Sequence, residues 1–137
     1  MNYLPSKELL SEVLDTTITE LAFKNNYVEY TSSISGNPYC YITYDKINIY
    51  ELAHMCKVWA TENKYTILTE DMYPNGYFAY VLSNKESIEN YGYLCEHKVI
   101  KDIPHNKTEP EAIFKACQWI LDNRNHYASK TIPITDS

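Results

Sequence analysis

Two stretches of the chain each carry one apolar stripe at helical spacing behind a helix start signal. In 48–63, Asn48 stands at the cap position and Glu51 follows three residues later, as in a capping box. In 108–123, Thr108 stands at the cap position and a proline falls in the first turn. A stripe of this kind has to be buried against another layer of the protein. We therefore predict two helices that pack side by side on one face of a sheet.

The segments outside these helices are typical of strands and turns, apart from a further helix predicted over 5–24. The predicted strands are 27–31, 39–44, 65–69, 77–82 and 91–100. The Tyr-Pro-Asn-Gly turn at 73–76 is the strongest hairpin signal. The predicted order is α-β-β-α-β-β-β-α, and the short connections between strands favour antiparallel pairing.

These elements predict one α+β domain over 1–125, followed by a loose tail at 126–137. We expect an antiparallel sheet of four to five strands packed with three helices, the last of which ends near Asn123. The chain has 137 residues, which is the size of one domain. No linker rich in proline, glycine or serine divides it.

Composition argues against several classes of function. The chain has three glycines and no phosphate-cradling loop, so a nucleotide enzyme of that kind is not expected. Its 18 acidic residues outnumber its 12 basic ones, and Arg124 is the one arginine. Because nucleic-acid recognition depends on arginine forks and basic patches, we expect no direct contact with nucleic acid. With neither a signal-peptide pattern nor an apolar run of about 20 residues, we expect a cytoplasmic protein without a membrane span.

Cysteine and histidine placement favours no metal, no cofactor and no catalysis. Cys56 and Cys117 fall on the helix stripes, which predicts buried, reduced thiols. Cys95 and His97 would share one face of a strand and could hold a metal with two further ligands. The simpler interpretation of that pair is a half-buried strand. A nucleophilic role for Cys40 or Cys95 stays open, since neither falls on a helix stripe.

Tyrosine is the unusual residue, with 14 copies beside two tryptophans and three phenylalanines. Most of the tyrosines fall in predicted strands or turns, where they either cover the solvent side of a sheet or form a recognition surface. Tyrosine suits recognition because it combines a large contact area with few rotatable bonds and one polar group. The predicted partner-binding residues are the anchors Tyr39, Tyr41, Tyr77, Tyr80, Tyr91 and Tyr93, with Glu70 and Asp71 as rim charges. An acidic surface of this kind suits a partner protein with a basic surface.

Two stretches of the chain resemble a phage protein family. They are YDKINIYELAHMCKVWATENKYTI and NKTEPEAIFKACQWILDN, with the later predicted strands between them. Trp59 near the end of one helix and the run 110–113 with Ala116 on the other make residues 44–123 similar to the phage ABA-sandwich domain. The resemblance implies a mobile-element origin and a small accessory role without catalysis. Such proteins bind and inhibit a host component, as anti-CRISPR and other anti-defence proteins do.

Other functions stay open at this point. One is a small-ligand module that sequesters a nucleotide signal in an aromatic-lined pocket between subunits. Another is a structural protein, and an enzyme is the third alternative. Assembly into a homo-oligomer is also compatible with the sequence.

Overall fold

The structure of the protein is a computed structural model that describes residues 3–33, 42–86 and 95–136. In those ranges the chain forms three helices and six strands. The helices are α1 (Lys7–Val13), α2 (Ile49–Glu62) and α3 (Glu109–Asp136). The strands are β1 (Thr17–Lys24), β2 (Tyr27–Ser33), β3 (Ile42–Asn48), β4 (Tyr65–Asp71), β5 (Tyr77–Glu86) and β6 (Cys95–Asn106). The predicted α+β class is confirmed.

The six strands form two separate sheets within the described residues. β1, β2 and β3 pair in that order as the first sheet, and β4, β5 and β6 pair in that order as the second. All neighbouring strands are antiparallel. The expected single sheet of four to five strands is therefore replaced by two sheets of three. The reason is that α2 separates β3 from β4 in sequence, so each sheet is built from strands that follow one another directly.

The N-terminal region differs most from the prediction. A helix was expected over 5–24, whereas α1 ends at Val13 and the chain continues into β1. Asp15 ends the helical path with a left-handed φ of 52°. The residues that follow are a β-branched run of two threonines, Ile18 and another threonine, which favours a strand. The backbone amide of Ile18 donates to the hydroxyl of Ser11, 3.1 Å away, and so ties the new strand to the helix.

The two asparagines after β1 form a hairpin turn where a helix stop was expected. Lys24 pairs with Tyr27, which leaves Asn25 and Asn26 as a two-residue loop. Asn25 has a φ of 56°, the positive value that tight hairpin turns require at their first central position. Asparagine tolerates this conformation better than most residues.

The predicted helix at 48–63 is confirmed as α2. The side-chain oxygen of Asn48 accepts a hydrogen bond from the backbone amide of Tyr50 at 2.8 Å, so asparagine caps the helix as expected. The start of α3 is also as expected, because the hydroxyl of Thr108 accepts from the backbone amide of Glu111 at 3.2 Å. Each cap satisfies a backbone donor that has no partner within its helix.

The end of α3 lies beyond the predicted one. The helix continues to Asp136, although the sequence indicated an end near Asn123. Instead of terminating the helix, the side-chain amide of Asn123 donates back to the carbonyl of Trp119 at 2.8 Å. No glycine follows Asn123 to supply the usual left-handed stop. The division into a domain at 1–125 and a tail at 126–137 stays a prediction.

The core lies between α2, α3 and the inner side of the second sheet. Leu52 and Cys56 of α2, and Phe114 and Ile120 of α3, are fully buried. Residues that alternate along β4 and β5 complete the core from the sheet. They are Tyr65, Ile67, Ala79 and Val81. The first sheet adds Ile18, Val28 and Ile47 to the same core.

A polar cluster joins the three helices at one end of this core. Arg124 of α3 forms two parallel hydrogen bonds with the carboxylate of Glu12 in α1, from Nη1 to Oε1 at 2.7 Å and from Nη2 to Oε2 at 2.5 Å. The indole of Trp59 in α2 donates to the same carboxylate at 3.2 Å. The guanidinium also reaches the side-chain oxygen of Asn63, 3.1 Å away. The sole arginine of the chain is therefore a structural residue.

Replacement of Glu12 should produce a pH-dependent loss of stability. The hydrogen bond from Arg124 lowers the pKa of Glu12, burial opposes this and the bond from Trp59 adds to it. A lowered pKa means that the stabilisation is complete above the unfolded-state pKa and is lost as pH falls through the folded-state pKa. Since the Glu12 side chain is 38% exposed, solvent screens the pair and E12Q should cost about 1 kcal/mol at neutral pH. Urea denaturation across a pH series measures this difference, which should vanish in acid. The control E20Q removes an exposed carboxylate of β1 and should match the wild type throughout, and a difference for E12Q that persists in acid contradicts the assignment.

The predicted hairpin turn between β4 and β5 is confirmed and depends on one glycine. The amide of Met72 donates to the carbonyl of Gly76 at 2.8 Å, and the amide of Asn75 donates to the carbonyl of Met72 at 2.7 Å. Gly76 has a φ of 90°, and a Cβ at this position would lie 2.5 Å from the backbone oxygen of Asn106. The close approach of β6 to the turn therefore requires glycine.

Replacement of Gly76 by alanine should destabilise the whole second sheet. The new Cβ meets a backbone oxygen in a conformation that side chains disfavour, so we expect a loss of about 2–4 kcal/mol. Urea denaturation measures it. N75A, at the preceding exposed position of the turn, is the matched control and should change stability by less than about 0.5 kcal/mol. Equal stability of the two variants would show that β6 does not constrain the turn.

Candidate protein-binding surface

The outward side of the second sheet carries the exposed apolar and aromatic residues that could meet a partner. We call it the open face, and it consists of Leu68, Glu70, Phe78, Tyr80, Val99 and Asp102. Successive side chains of a strand point to opposite sides, so the buried Ala79 and Val81 place Phe78 and Tyr80 outward. Leu68 is 51% exposed and Val99 is 47% exposed. The open face thus presents hydrophobic side chains to solvent while the helices occupy the other side.

The aromatic rings of the open face form a connected group. Phe78 and Tyr80 lie two residues apart on β5, with ring centroids 6.5 Å apart. On the other side of Phe78, the ring of His105 packs edge-on at 5.0 Å. His105 also lies 3.3 Å from the backbone oxygen of Asn75, measured from Nδ1. The turn and β6 therefore hold one end of the aromatic group in place.

The electrostatics of the open face are acidic. The hydroxyl of Tyr80 donates to Oε1 of Glu70 at 2.8 Å. That hydrogen bond raises the pKa of Tyr80, and burial and the charges of Glu70 and Asp102 act in the same direction. Asp102 is the residue of β6 that pairs directly with Tyr80. Two carboxylates thus flank the half-buried Tyr80.

The two rim charges predicted from the sequence have different surroundings. Glu70 belongs to the open face and orients Tyr80. Asp71 lies at the end of β4, where its carboxylate accepts a hydrogen bond from the backbone amide of Tyr73 at 3.1 Å. Asp71 therefore shapes the turn. Tyr73, which the sequence did not single out, is 88% exposed at the tip of that turn.

The structure separates two tyrosines that were expected to act together. Tyr80 lies on the open face, whereas Tyr77 is half-buried and packs against the core from the inner side. Residues 77 and 80 differ by an odd number, so a regular strand places them on opposite sides. The same alternation could have identified Phe78, which the sequence analysis missed. The predicted anchors Tyr39, Tyr41, Tyr91 and Tyr93 lie outside the described residues.

The first sheet has its own exposed tyrosines. Tyr44 is 63% exposed, and its hydrogen bond with Glu29 is the main reason that its pKa is raised. Tyr27 is 41% exposed, and Nζ of Lys46 lies over its ring, 5.1 Å from the centroid. Here a lysine of the chain itself lies over one of the two rings.

The cysteines of the helices are structural. Cys56 and Cys117 are free and fully buried, as the sequence predicted. The thiol of Cys117 donates to the carbonyl oxygen of Cys56 at 3.3 Å. Burial raises the pKa of the Cys117 thiol well above its usual range, and its neighbour Cys56 acts in the same direction. A thiol in this state is a poor nucleophile.

Other kinds of site receive no support from the described part of the chain. Its histidines, cysteines and carboxylates form no group of three or more that could hold a metal ion. A shallow depression beside α1 is polar, lined by Ser11, Glu12, Asp15, Thr16 and Thr17. None of the helices described here is long and apolar enough to cross a membrane.

Searches against family models, curated proteins and solved structures find no match to this chain. The similarity to the phage ABA-sandwich domain therefore remains a prediction.

Removal of the Glu70 charge should shift the titration of one tyrosine. In E70Q the neutral amide no longer favours the protonated phenol, so the pKa of Tyr80 should fall towards its ordinary value. NMR of ring-labelled tyrosine over an alkaline pH series measures this change. The pKa of Tyr44, which depends on Glu29, serves as the internal control and should stay unchanged. An unaltered Tyr80 would show that its hydroxyl does not bind Glu70 in solution.

Proposed function

We propose that this chain is a small accessory protein of phage or mobile-element type that binds a host protein and inhibits it, without catalysis of its own. Support for binding comes from the open face, where Leu68 and Val99 are about half exposed beside Phe78 and Tyr80. Exposed apolar side chains and partly exposed aromatic rings on one side of a sheet are typical of a protein interaction site. The mobile-element origin and the inhibitory, anti-defence role follow from the sequence resemblance.

The charge of the open face supports a partner with a basic surface. Glu70 and Asp102 are exposed at the rim of the aromatic group. A complementary positive surface would be attracted to them and would gain both association rate and specificity. Such a mode of action needs a surface and no catalytic group, which fits the buried thiols of the helices.

Binding through the open face can be tested with two matched double variants. L68S/Y80A removes the centre of the open face. I42S/Y44A makes the matching aliphatic and tyrosine changes in the first sheet, where Ile42 is 57% and Tyr44 is 63% exposed. With wild type as bait in a host-cell lysate, a stoichiometric host protein should be retained. L68S/Y80A should weaken its affinity about tenfold or more, because side chains at the centre of an interface carry most of the binding energy. The I42S/Y44A control should bind like wild type.

Two further measurements make this experiment decisive. Thermal melting should show all three proteins folded, so that loss of binding reflects the surface. Addition of wild type to the purified host protein should lower that protein's activity. Retention by L68S/Y80A, or equal loss in the control, contradicts binding through the open face, and binding without any effect on activity contradicts inhibition.

A further inference from the structure

This chain repeatedly places a cation over an aromatic ring and near a carboxylate. Three such groups occur among the described residues. The cations, rings and neighbouring carboxylates are Arg124 with Trp59 and Glu12, Lys115 with Tyr3 and Glu111, and Lys46 with Tyr27 and Glu29. The cations lie between 5.1 and 5.8 Å from the ring centroids. At these distances the negative face of a ring attracts a positive charge.

The open face has the rings and the carboxylates of such a group, and none of the ion pairs or cation–ring contacts between described side chains involves it. Phe78 and Tyr80 provide the rings, Glu70 accepts the hydroxyl of Tyr80, and Asp102 pairs with Tyr80 across the strands. Among the described residues, ion pairs join Lys115 to Glu111 and Arg124 to Glu12. Neither pair includes a residue of the open face. The rings and carboxylates of the open face are thus suited to bind a cation that belongs to another molecule.

We propose that Tyr80, Phe78, Glu70 and Asp102 bind the cationic side chain of a lysine or arginine on the partner protein. This inference rests on the proposed function and names the chemistry that the partner contributes. The ring of Tyr80 offers the cation its face, and the two carboxylates flank that ring. A carboxylate has about four acceptor sites, so Glu70 can hold the Tyr80 hydroxyl and still accept from an ammonium or guanidinium group. The exposed Leu68 and Val99 would contact the apolar stem of the same side chain.

Small amides that carry one side chain each can test this site without the host protein. The probes are the Nα-acetyl methylamides of lysine, arginine and norleucine. Norleucine has the four side-chain carbons of lysine and lacks its ammonium group. In NMR titrations the lysine and arginine probes should cause saturable shifts at Phe78 and Tyr80 in the millimolar range. The norleucine probe should cause none, because an apolar stem alone gains little at an exposed site.

Two double variants separate the site from general charge. E70Q/D102N should weaken the lysine probe about fivefold or more, since both flanking charges are lost. E20Q/E62Q removes two exposed carboxylates elsewhere and should bind the probe like wild type. An equal effect of the two double variants, equal shifts with norleucine, or no saturable shift at Phe78 and Tyr80 overturns the proposal.

The two hypotheses fail in different ways. If the lysine probe binds as expected while L68S/Y80A still retains the host protein, the open face binds cations, but the proposed binding surface and the partner as the source of the cation are both wrong. If L68S/Y80A loses the host protein while no cationic probe binds, the surface stands and the cation site is wrong.

Discussion

The close packing of α2 on α3 is the contact on which the rest of the structure depends. Small side chains at the crossing, among them Ala60, Ala116 and Cys117, are fully buried and let the two backbones approach. The approach is close enough for the thiol of Cys117 to donate to the carbonyl oxygen of Cys56. Since the burial keeps that thiol neutral, no charge is stranded in the core. A larger side chain at either cysteine would force the helices apart.

This helix pair determines which surface remains available for binding. The helices cover the inner side of the second sheet, so Ala79 and Val81 are buried and the alternate residues Phe78 and Tyr80 face outward. At the other end of the core, Arg124 ties α3 to Glu12 of α1, and Trp59 of α2 donates to the same carboxylate. The described helices therefore pack on one side of the second sheet and leave its other side uncovered by any of them. A sheet with one covered side can use the other for recognition without any cost to the core.

Local signals predicted the elements whose structure is determined locally. Asn48 and Thr108 cap their helices as expected, because a cap depends on residues within one turn. The helix expected over 5–24 is present only as far as Val13, since the apolar spacing after it also fits a strand. Asp15 and Asn25, with positive φ values, bound that strand. The end of α3 was missed because Asn123 bonds backward into the helix. The sequence did not predict the division into two sheets either. That division depends on whether the strands before α2 pair with the strands after it, and local patterns do not determine such pairing.

The candidate surface was predictable in composition but not in geometry. Clustered tyrosines pointed to the sheets, yet Tyr77 supports the core and Tyr80 lies outside. Which side of a strand faces solvent is decided by the layer that packs on it, and this information lies in distant residues such as Phe114 of α3. Likewise, the structure and not the composition shows where the acidic excess lies. Lys46, Lys115 and Arg124 are each held over a ring of their own chain, so those cations are already engaged. The carboxylates beside Tyr80 take part in neither ion pair formed between described side chains, so part of the acidic excess lies on this surface.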